Sequence, residues 1–166
     1  MTIAPQDIPR SILVATPEEF VGRSHVHEGY RLDGRAPGYA PFFAARPAAE
    51  PIWVSADGLY QVCAIDDPDF VMPETVVLPG PGSSLPTAVL LRTAGRTVGF
   101  YVAGMSWIDP GHRGRGLSPM MIVSACVLAR GFAHDVSSTM GYSAAGYAAH
   151  VAAHREAARI AAGEAA

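Results

Sequence analysis

The chain has 166 residues, a net charge of −3 at neutral pH and charged side chains at 16% of its positions. That length suffices for one domain with a sizeable core, residues 1–166, and no internal repeat or domain-sized linker divides it. The net charge argues against a protein that coats nucleic acid, and no apolar run approaches the length that crosses a bilayer. The N-terminus lacks the basic and apolar regions of a secretory signal, so we expect a cytoplasmic protein.

Little regular structure is predicted for residues 1–50. Residues 16–19, Thr-Pro-Glu-Glu, place a capping threonine, a proline at the first helical position and the glutamate of a capping box, which predicts a helix to about Ser24. Residues 33–51 hold four prolines and two glycines, too many breakers for a regular element. The aromatic residues of this stretch, Tyr39, Phe42 and Phe43, indicate that it packs against the rest of the domain. It could cover the sheet or form one wall of a site for a substrate that accepts a transferred group, called the acceptor site below.

Residues 51–166 are expected to hold the sheet and the ligand-binding core. Residues 52–62 are typical of a hairpin around the two-residue turn Asp57-Gly58. Residues 79–84 are rich in proline, glycine and serine and predict a linker or turn. Residues 87–92 and 96–102 predict two strands joined at Ala94-Gly95, and the second continues, with a bend near Gly104, to Ile108.

A buried helix follows. Its predicted start is Ser118 as cap with Pro119 at the first helical position, and its predicted end is Arg130, with Gly131 as the left-handed stop. Apolar side chains surround it almost completely, which is typical of a deeply buried helix.

The last segment predicts one short strand and one helix. Residues 132–138 form the strand, and Ser143 caps a helix to about Ala162, closed by Gly163. The predicted fold class is therefore α/β in the broad sense that includes α+β, with a mixed central sheet and flanking helices.

The turn between the last predicted strand and the buried helix carries the most chemical information. Residues 108–118 read Ile-Asp-Pro-Gly-His-Arg-Gly-Arg-Gly-Leu-Ser. Glycine lets backbone N–H groups approach an oxyanion closely, and the first turn of a helix leaves its donors unpaired. The arginines add charge-assisted hydrogen bonds to a phosphate. Neither a Walker-type loop nor a dinucleotide fingerprint fits, and the alternative is a basic loop that only makes a turn.

This stretch resembles motif A of the GNAT superfamily of N-acetyltransferases. That motif reads Arg/Gln-x-x-Gly-x-Gly/Ala after a strand that often ends in Val-x-Pro. Ile108 and Pro110 occupy the Val and Pro positions, and Arg113, Gly116 and Ser118 fit the motif, with serine as the final small residue. The resemblance covers roughly residues 97–131. It implies an acyl-CoA N-acyltransferase-like fold with acetyl-CoA, or another acyl-CoA, as co-substrate.

The resemblance also implies how the co-substrate binds. The strand lays its backbone along the pantetheine arm, one of its N–H groups contacts the thioester carbonyl, and the loop amides clasp the diphosphate. The cofactor-binding residues implied are Ile108, Arg113, Gly114, Arg115, Gly116, Leu117 and Ser118.

Acid and base groups are less clearly marked. In the family, a tyrosine on the last helix often protonates the leaving sulfur, which points to Tyr147 as the catalytic acid, with Tyr142 as the runner-up. The segment lacks the asparagine that the family often shows before this helix. No carboxylate lies within residues 97–108, and Asp109, the nearest acid, is equally suited to organising the backbone of the turn. The general base is therefore water-mediated or absent.

The function implied is an N-acyltransferase that moves an acyl group from CoA to a small-molecule or peptide amine by direct transfer. The alternatives are a non-catalytic acyl-CoA-binding protein and a structural or interaction domain without CoA. Neither nucleic acid nor a membrane is expected as a partner, and a homodimer is left open. The family pattern usually has a further strand pair after the last helix. Since the sequence stops at Ala166, those strands are missing, replaced from the N-terminal half or supplied by another subunit.

Histidines and cysteines suggest further sites, none of which is preferred. His150 and His154 share one face of the last helix, and His25 and His27 alternate as in a strand. A zinc site from all four is an alternative to a polar helix face or an acceptor-site lining, but we expect no metal. Cys63 and Cys126 lack metal-type spacing, which leaves two reduced thiols or a disulfide open.

Overall fold

A computed structural model describes residues 3–22, 26–73, 76, 87–136 and 141–164. Over these residues the protein is α+β, with one five-stranded sheet and helices packed on it. The predicted linker at residues 79–84 lies outside the described residues. No helix in the described part of the chain is both long enough and apolar enough to span a membrane.

The sheet is antiparallel throughout. Its strands are β1 Trp53–Val54, β2 Gln61–Ala64, β3 Ala88–Thr93, β4 Arg96–Val102 and β5 Met105–Ile108, in the spatial order β1-β2-β3-β4-β5. Each strand pairs with its neighbours in sequence, and every ladder runs antiparallel. The prediction of a mixed sheet is therefore wrong for the described strands, where the one parallel pairing is the isolated bridge between Val26 and Tyr142.

Two tight turns order the centre of the sheet. Ala94 and Gly95, with φ of 49° and 73°, join β3 to β4 as predicted. Ala103 and Gly104, with φ of 50° and 90°, form a second such turn. Two consecutive residues with positive φ fit the twist of a hairpin, so the chain reverses here. The predicted bend at Gly104 is in fact this reversal, and it places β5 antiparallel to β4 at one edge of the sheet.

The first hairpin has a longer connection than predicted. β1 and β2 pair in the register Trp53 with Val62, as a hairpin requires. Six residues separate the two strands, and because Ser55 N–H still donates to the Tyr60 carbonyl at 2.9 Å, four of them, residues 56–59, form the turn in place of the predicted two. Asp57 lies inside this turn, where its carboxylate accepts a hydrogen bond from the Leu59 N–H at 3.0 Å.

Three short α-helices lie in the described part of the N-terminal third, where one helix was predicted. They are α1 Arg10–Leu13, α2 Pro17–Val21 and α3 Ala40–Ala44. The predicted capping box starts α2, but the helix ends at Val21 before Gly22, whose φ is 71°, short of Ser24. α3 forms inside the stretch predicted to be irregular, because Pro41 falls in its first turn, where proline is tolerated.

α4, Leu117–Ala129, is the central helix of the protein. Every residue from Met120 to Cys126 is buried, which confirms the predicted deep burial. Its start differs from the prediction, because Gly116 in left-handed conformation is the N-cap and Ser118 lies inside the helix. At its end Arg130, not Gly131, takes the left-handed position, with φ of 57°.

α5, Ala144–Ala161, begins as predicted, since the Ser143 side chain accepts a hydrogen bond from the Gly146 N–H at 3.0 Å. Residues 132–136 form no strand, which contradicts the prediction, and residues 137 and 138 lie outside the described residues.

The sheet is covered on both faces. α4 packs on one face, α5 packs against α4, and α1 and α2 pack against α5. α3 and the chain around it cover the other, where Phe42 stacks on Phe100 with ring centroids 4.5 Å apart. Tyr39 and Phe43 also contact the Phe100 ring. These aromatics therefore cover the sheet, and the interpretation as an acceptor-site wall is not supported by their contacts.

Histidines fasten α5 to its surroundings. His150 is fully buried, with Nδ1 2.7 Å from the Gly146 carbonyl oxygen and Nε2 2.9 Å from the Tyr101 hydroxyl. His154 Nε2 donates to the Ala15 carbonyl at 2.9 Å, just after α1. This helix therefore presents its N-terminal turn in a fixed position beside the start of α4.

Candidate functional site

The loop between β5 and α4, residues 109–116, together with the first turn of α4 is the candidate anion cradle. After a 3₁₀ turn at Pro110–His112, Gly114 and Gly116 adopt φ of 78° and 70°, which favour glycine. A Cβ atom added at either glycine would meet nothing within 4 Å. The backbone of this loop therefore borders open space.

Backbone N–H groups of the cradle are unpaired in the described chain. Within the described chain, the N–H groups of residues 114, 115 and 116 have no hydrogen-bond partner, and the Gly116 cap provides no side-chain acceptor. Leu117 and Ser118 open α4, where the first N–H groups have no intrahelical acceptor. Five consecutive amides at a helix N-terminus are thus available to an anion, and the helix dipole adds a favourable potential there.

A cavity of about 350 Å³ opens at this cradle. Three segments that are distant in sequence line it: the start of α4 with the end of β5, the loop at residues 29–32, and the start of α5. The lining residues are Gly29, Tyr30, Arg31, Leu32, Ser106, Trp107, Ile108, His112, Arg113, Gly114, Arg115, Gly116, Leu117, Ser118, Pro119, Ser143, Ala144 and Ala145. Three of them are arginines and none carries a carboxylate. The cavity is therefore positively charged, although the protein has a net charge of −3.

The structure brings together all seven predicted cofactor-binding residues, because each of them lines this cavity. The two arginines have different surroundings. Arg113 Nε donates to the Ile108 carbonyl at 2.6 Å, and its guanidinium lies 5.7 Å from the Trp107 ring. Arg115 lies 5.9 Å from the centroid of the Tyr60 ring. Both arginines are exposed, and Arg113 also fixes the end of β5.

The free edge of β5 forms one wall. β5 ends the spatial order of the sheet, and Asp109 N–H donates to the Val98 carbonyl at 2.8 Å. Because hydrogen-bonded and non-bonded pairs alternate in an antiparallel ladder, Ser106 and Ile108 are non-bonded positions, and their backbone N–H and C=O groups point away from β4. Arg113 occupies the Ile108 carbonyl.

Two side-chain contacts brace the loop. The His112 ring lies edge-on to Tyr60, with Nδ1 2.7 Å from the Tyr60 hydroxyl. Ser106 Oγ and Ser118 Oγ are 2.8 Å apart and join β5 to the first turn of α4. The loop is thus held from the β1–β2 hairpin on one side and from β5 on the other.

Asp109 is held by an ion pair. Arg35 Nε donates to Asp109 Oδ1 at 2.9 Å, and a second guanidinium nitrogen pairs with Oδ2. The hydrogen bonds from Arg35 lower the pKa of Asp109 below its usual value. A carboxylate with a lowered pKa and both oxygens engaged is a weak proton acceptor, so Asp109 ties the N-terminal segment to the loop and is a poor general base.

The predicted acid residues lie elsewhere. Tyr147 is 36% exposed on α5, contacts the Tyr142 ring at 6.1 Å between centroids, and does not line the cavity. Tyr142 is buried, and its hydroxyl donates to the Val21 carbonyl at 2.9 Å. The structure therefore brings neither tyrosine to the cradle, whereas Tyr30 lines the cavity and is 53% exposed.

Metal and thiol alternatives find little support. His25 lies outside the described residues, and His150 and His154 are engaged as described above. In the described segments, no three His, Cys, Asp or Glu side chains form a group that could hold a metal ion. Cys63 and Cys126 are buried free thiols, and burial raises the pKa of Cys126 to about 12. The disulfide alternative is therefore wrong, and Cys126 is unreactive as a nucleophile at neutral pH.

Sequence reasoning missed two walls of the cavity. Residues 29–32 carry no motif and reach the cavity through long-range contacts. The capped start of α5 was predicted, but no local sequence pattern indicates that it lies beside the start of α4. Ser106 was also missed, because only the hairpin turn at residues 103 and 104 places it opposite Ser118.

Comparisons with protein-family models, with curated proteins and with solved structures gave no match to this chain.

Proposed function

We propose that the cavity binds acyl-CoA and that the protein is an acyl-CoA-dependent N-acyltransferase acting on an amine. The observation that carries the proposal is that the amides of residues 114–116 have no partner in the described chain and lead into the first turn of α4, where those of residues 117 and 118 have no intrahelical acceptor, beside a carboxylate-free cavity. A diphosphate matches that site in charge and in its number of acceptor oxygens. Arg115 adds an exposed positive charge at the rim.

The edge of β5 supports the placement of the rest of the ligand. The outward N–H groups of Ser106 and Ile108 continue from the cradle along the strand. An extended arm with amide groups pairs with such an edge as an added strand does. An N–H group on the same edge is a donor for the thioester carbonyl, whose polarisation favours attack by an amine.

Transfer then depends mainly on placement. The amine nitrogen bonds to the acyl carbon and loses a proton to water, the carbon–sulfur bond breaks, and the sulfur leaves as a thiolate that takes up a proton. Holding both reactants together supplies much of the rate enhancement in such a reaction. Tyr30 is the tyrosine that lines the cavity, so in this proposal it takes the role of proton donor that the sequence assigned to Tyr147.

A non-catalytic acyl-CoA-binding protein is the second candidate. It is favoured by the absence of any carboxylate among the lining residues, since a general base would then have to be water. Titration calorimetry with acetyl-CoA, combined with a free-thiol release assay against a panel of amines, distinguishes the two candidates. Binding with amine-dependent thiol release supports the enzyme, and binding without release supports the second candidate.

The diphosphate assignment is tested by Arg115→Ala. We expect it to weaken CoA binding about tenfold, the loss of one charge-assisted hydrogen bond. Arg115 is preferred to Arg113, because Arg113 also holds the Ile108 carbonyl and its loss would disturb β5. Calorimetry of this variant, of the control variant described next and of wild type gives the dissociation constants for CoA.

Arg155→Ala is the matched control, since Arg155 is exposed on α5 and does not line the cavity. It should leave CoA affinity within twofold of wild type. Equal affinities for the Arg115 and Arg155 variants would contradict the phosphate site, and a wild-type protein that does not bind CoA would remove the proposal altogether.

A further inference from the structure

A pair of serine hydroxyls lies at the junction of β5 and α4. Ser106 Oγ and Ser118 Oγ are 2.8 Å apart, both residues are half-buried, and both line the cavity. Ser106 belongs to the edge strand and Ser118 to the first turn of the helix. The pair therefore lies between the strand wall and the amide cradle.

Counting hydrogens shows that the pair has one donor to spare. Each hydroxyl carries one hydrogen and two acceptor lone pairs, and a hydrogen bond between two hydroxyls uses one hydrogen only. Among the residues that the structure describes, neither hydroxyl has another hydrogen-bond partner. One O–H group at the cavity wall is thus available to an acceptor on a ligand.

The position of the pair defines which part of a ligand it meets. Ser106 lies two residues before Ile108, roughly 7 Å along the strand. A ligand whose diphosphate occupies the amides of residues 114–118, and whose arm follows the edge of β5, passes the pair just beyond the diphosphate. A neutral hydroxyl donor in that position suits a carbonyl oxygen.

We propose that the Ser106–Ser118 pair donates a hydrogen bond to a carbonyl oxygen on the arm of the bound ligand. The pair selects diphosphate ligands with an amide-bearing arm over diphosphates that lack one. This inference rests on the proposed function, because it takes the arm to be that of CoA. Ser106 and Ser118 are then specificity-determining residues of the site.

The test uses two ligands that differ in the arm. CoA carries the diphosphate, the arm and a 3′-phosphate, whereas ADP carries a diphosphate alone, so each ligand's affinity for the variant is compared with its own affinity for wild type. The double variant Ser106→Ala, Ser118→Ala removes the donor whichever hydroxyl supplies it, and leaves no unpaired hydroxyl behind. We expect calorimetry to show CoA binding weakened two- to tenfold, as for one net hydrogen bond, with ADP binding within twofold of wild type.

Ser124→Ala is the control, since Ser124 lies on the same helix and its hydroxyl donates to the Met120 carbonyl at 2.6 Å. Its affinities for both ligands should match those of wild type. Equal losses for CoA and ADP in the double variant would mean that the pair only shapes the cradle, and unchanged CoA affinity would mean that the arm does not contact it. Either result overturns the inference while leaving CoA binding by wild type intact. A wild type that binds neither ligand overturns the proposed function as well.

Discussion

Tyr30 and Tyr147 compete for one chemical role in the proposed reaction. Tyr147 has the position on the last helix that the motif resemblance implies, but its ring packs near Tyr142 and away from the cavity. Tyr30 comes from a loop without a motif and lines the cavity. The leaving thiolate is in the cavity in this proposal, so its proton donor must be there too.

Replacing each tyrosine by phenylalanine separates the two assignments. We expect Tyr30→Phe to lower kcat for acyl transfer about 100-fold, at the lower end of general acid catalysis, with CoA affinity unchanged. Tyr147→Phe should keep kcat within twofold of wild type. Thiol-release kinetics at saturating acetyl-CoA and amine give the comparison.

The reverse ranking of the two variants would restore Tyr147 as the acid and would require the thioester to lie nearer to α5. Equal and small effects in both would instead assign the proton to water.

The glycine turn of the motif loop could be predicted from its own residues, whereas its partners and the first residue of α4 could not. Gly114 and Gly116 form the turn that the sequence predicts before the helix, because the conformation of a glycine turn is set locally. Asp109 has no local signal for its pairing with Arg35, which is 74 residues away in sequence. The ion pair decides that Asp109 is not the base, and only the folded chain contains it.

At the scale of elements, the cradle depends on how α4 begins. Gly116 is a cap without a side chain, so the first turn of α4 keeps its amides for a ligand. A serine or aspartate cap would accept one of these amides itself. The prediction that Ser118 caps this helix would have closed the site in part, and the observed start two residues earlier opens it.

Two glycines of the same loop provide a controlled test of this conformation. A Cβ at Gly111 and a Cβ at Gly116 would both meet open space, but Gly116 alone has a positive φ, 70°. Gly116→Ala should therefore destabilise the protein by about 1 kcal/mol and weaken CoA binding as the amides shift. Gly111→Ala should leave both quantities close to those of wild type.

Denaturant unfolding and calorimetry measure the two effects. If Gly111→Ala and Gly116→Ala behaved alike, side-chain bulk in the loop would be the cause, and the left-handed cap would have no special part in binding.

Strand and helix predictions succeeded where the signal is local and failed where it is not. The caps Thr16 and Ser143 and the turn at Gly95 were predicted from adjacent residues and are confirmed. The reversal at Ala103-Gly104 was missed, because alanine with positive φ is unusual and the apolar run continues across it. The antiparallel direction of β5 follows from that one turn, and with it the correction of the mixed sheet.

At the scale of the whole molecule, the cavity joins parts of the chain that the sequence keeps far apart. Residues 29–32, the β5–α4 loop and the start of α5 each contribute one wall. Two backbone contacts hold the loop at residues 29–32 near the start of α5. They are the bridge between Val26 and Tyr142 and the hydrogen bond from the His27 N–H to the Tyr142 carbonyl at 2.8 Å. Such contacts depend on the packing of α5 against α4, so the sequence of a single segment cannot predict them.

A ligand that fills this cavity should stabilise all three walls at once. We expect CoA to slow amide hydrogen exchange at short times in residues 29–32, 112–118 and 143–145, with little change in β2 and β3, whose exchange requires wider unfolding. At a concentration of 100 times Kd, binding adds about 2.7 kcal/mol to the free energy of unfolding, so only early exchange times report the local pattern. Mass spectrometry of peptides from the three segments measures it.

Arg115→Ala at the same CoA concentration should show weaker protection in all three segments together, because the loss of affinity is shared by every wall. Protection confined to residues 112–118 would mean that the anion alone is bound and that the loop at residues 29–32 and the start of α5 do not enclose the ligand. Protection in segments remote from the cavity would place the CoA site elsewhere on the protein. A concerted response of the three walls, scaled by a single arginine in one of them, is what one shared site requires.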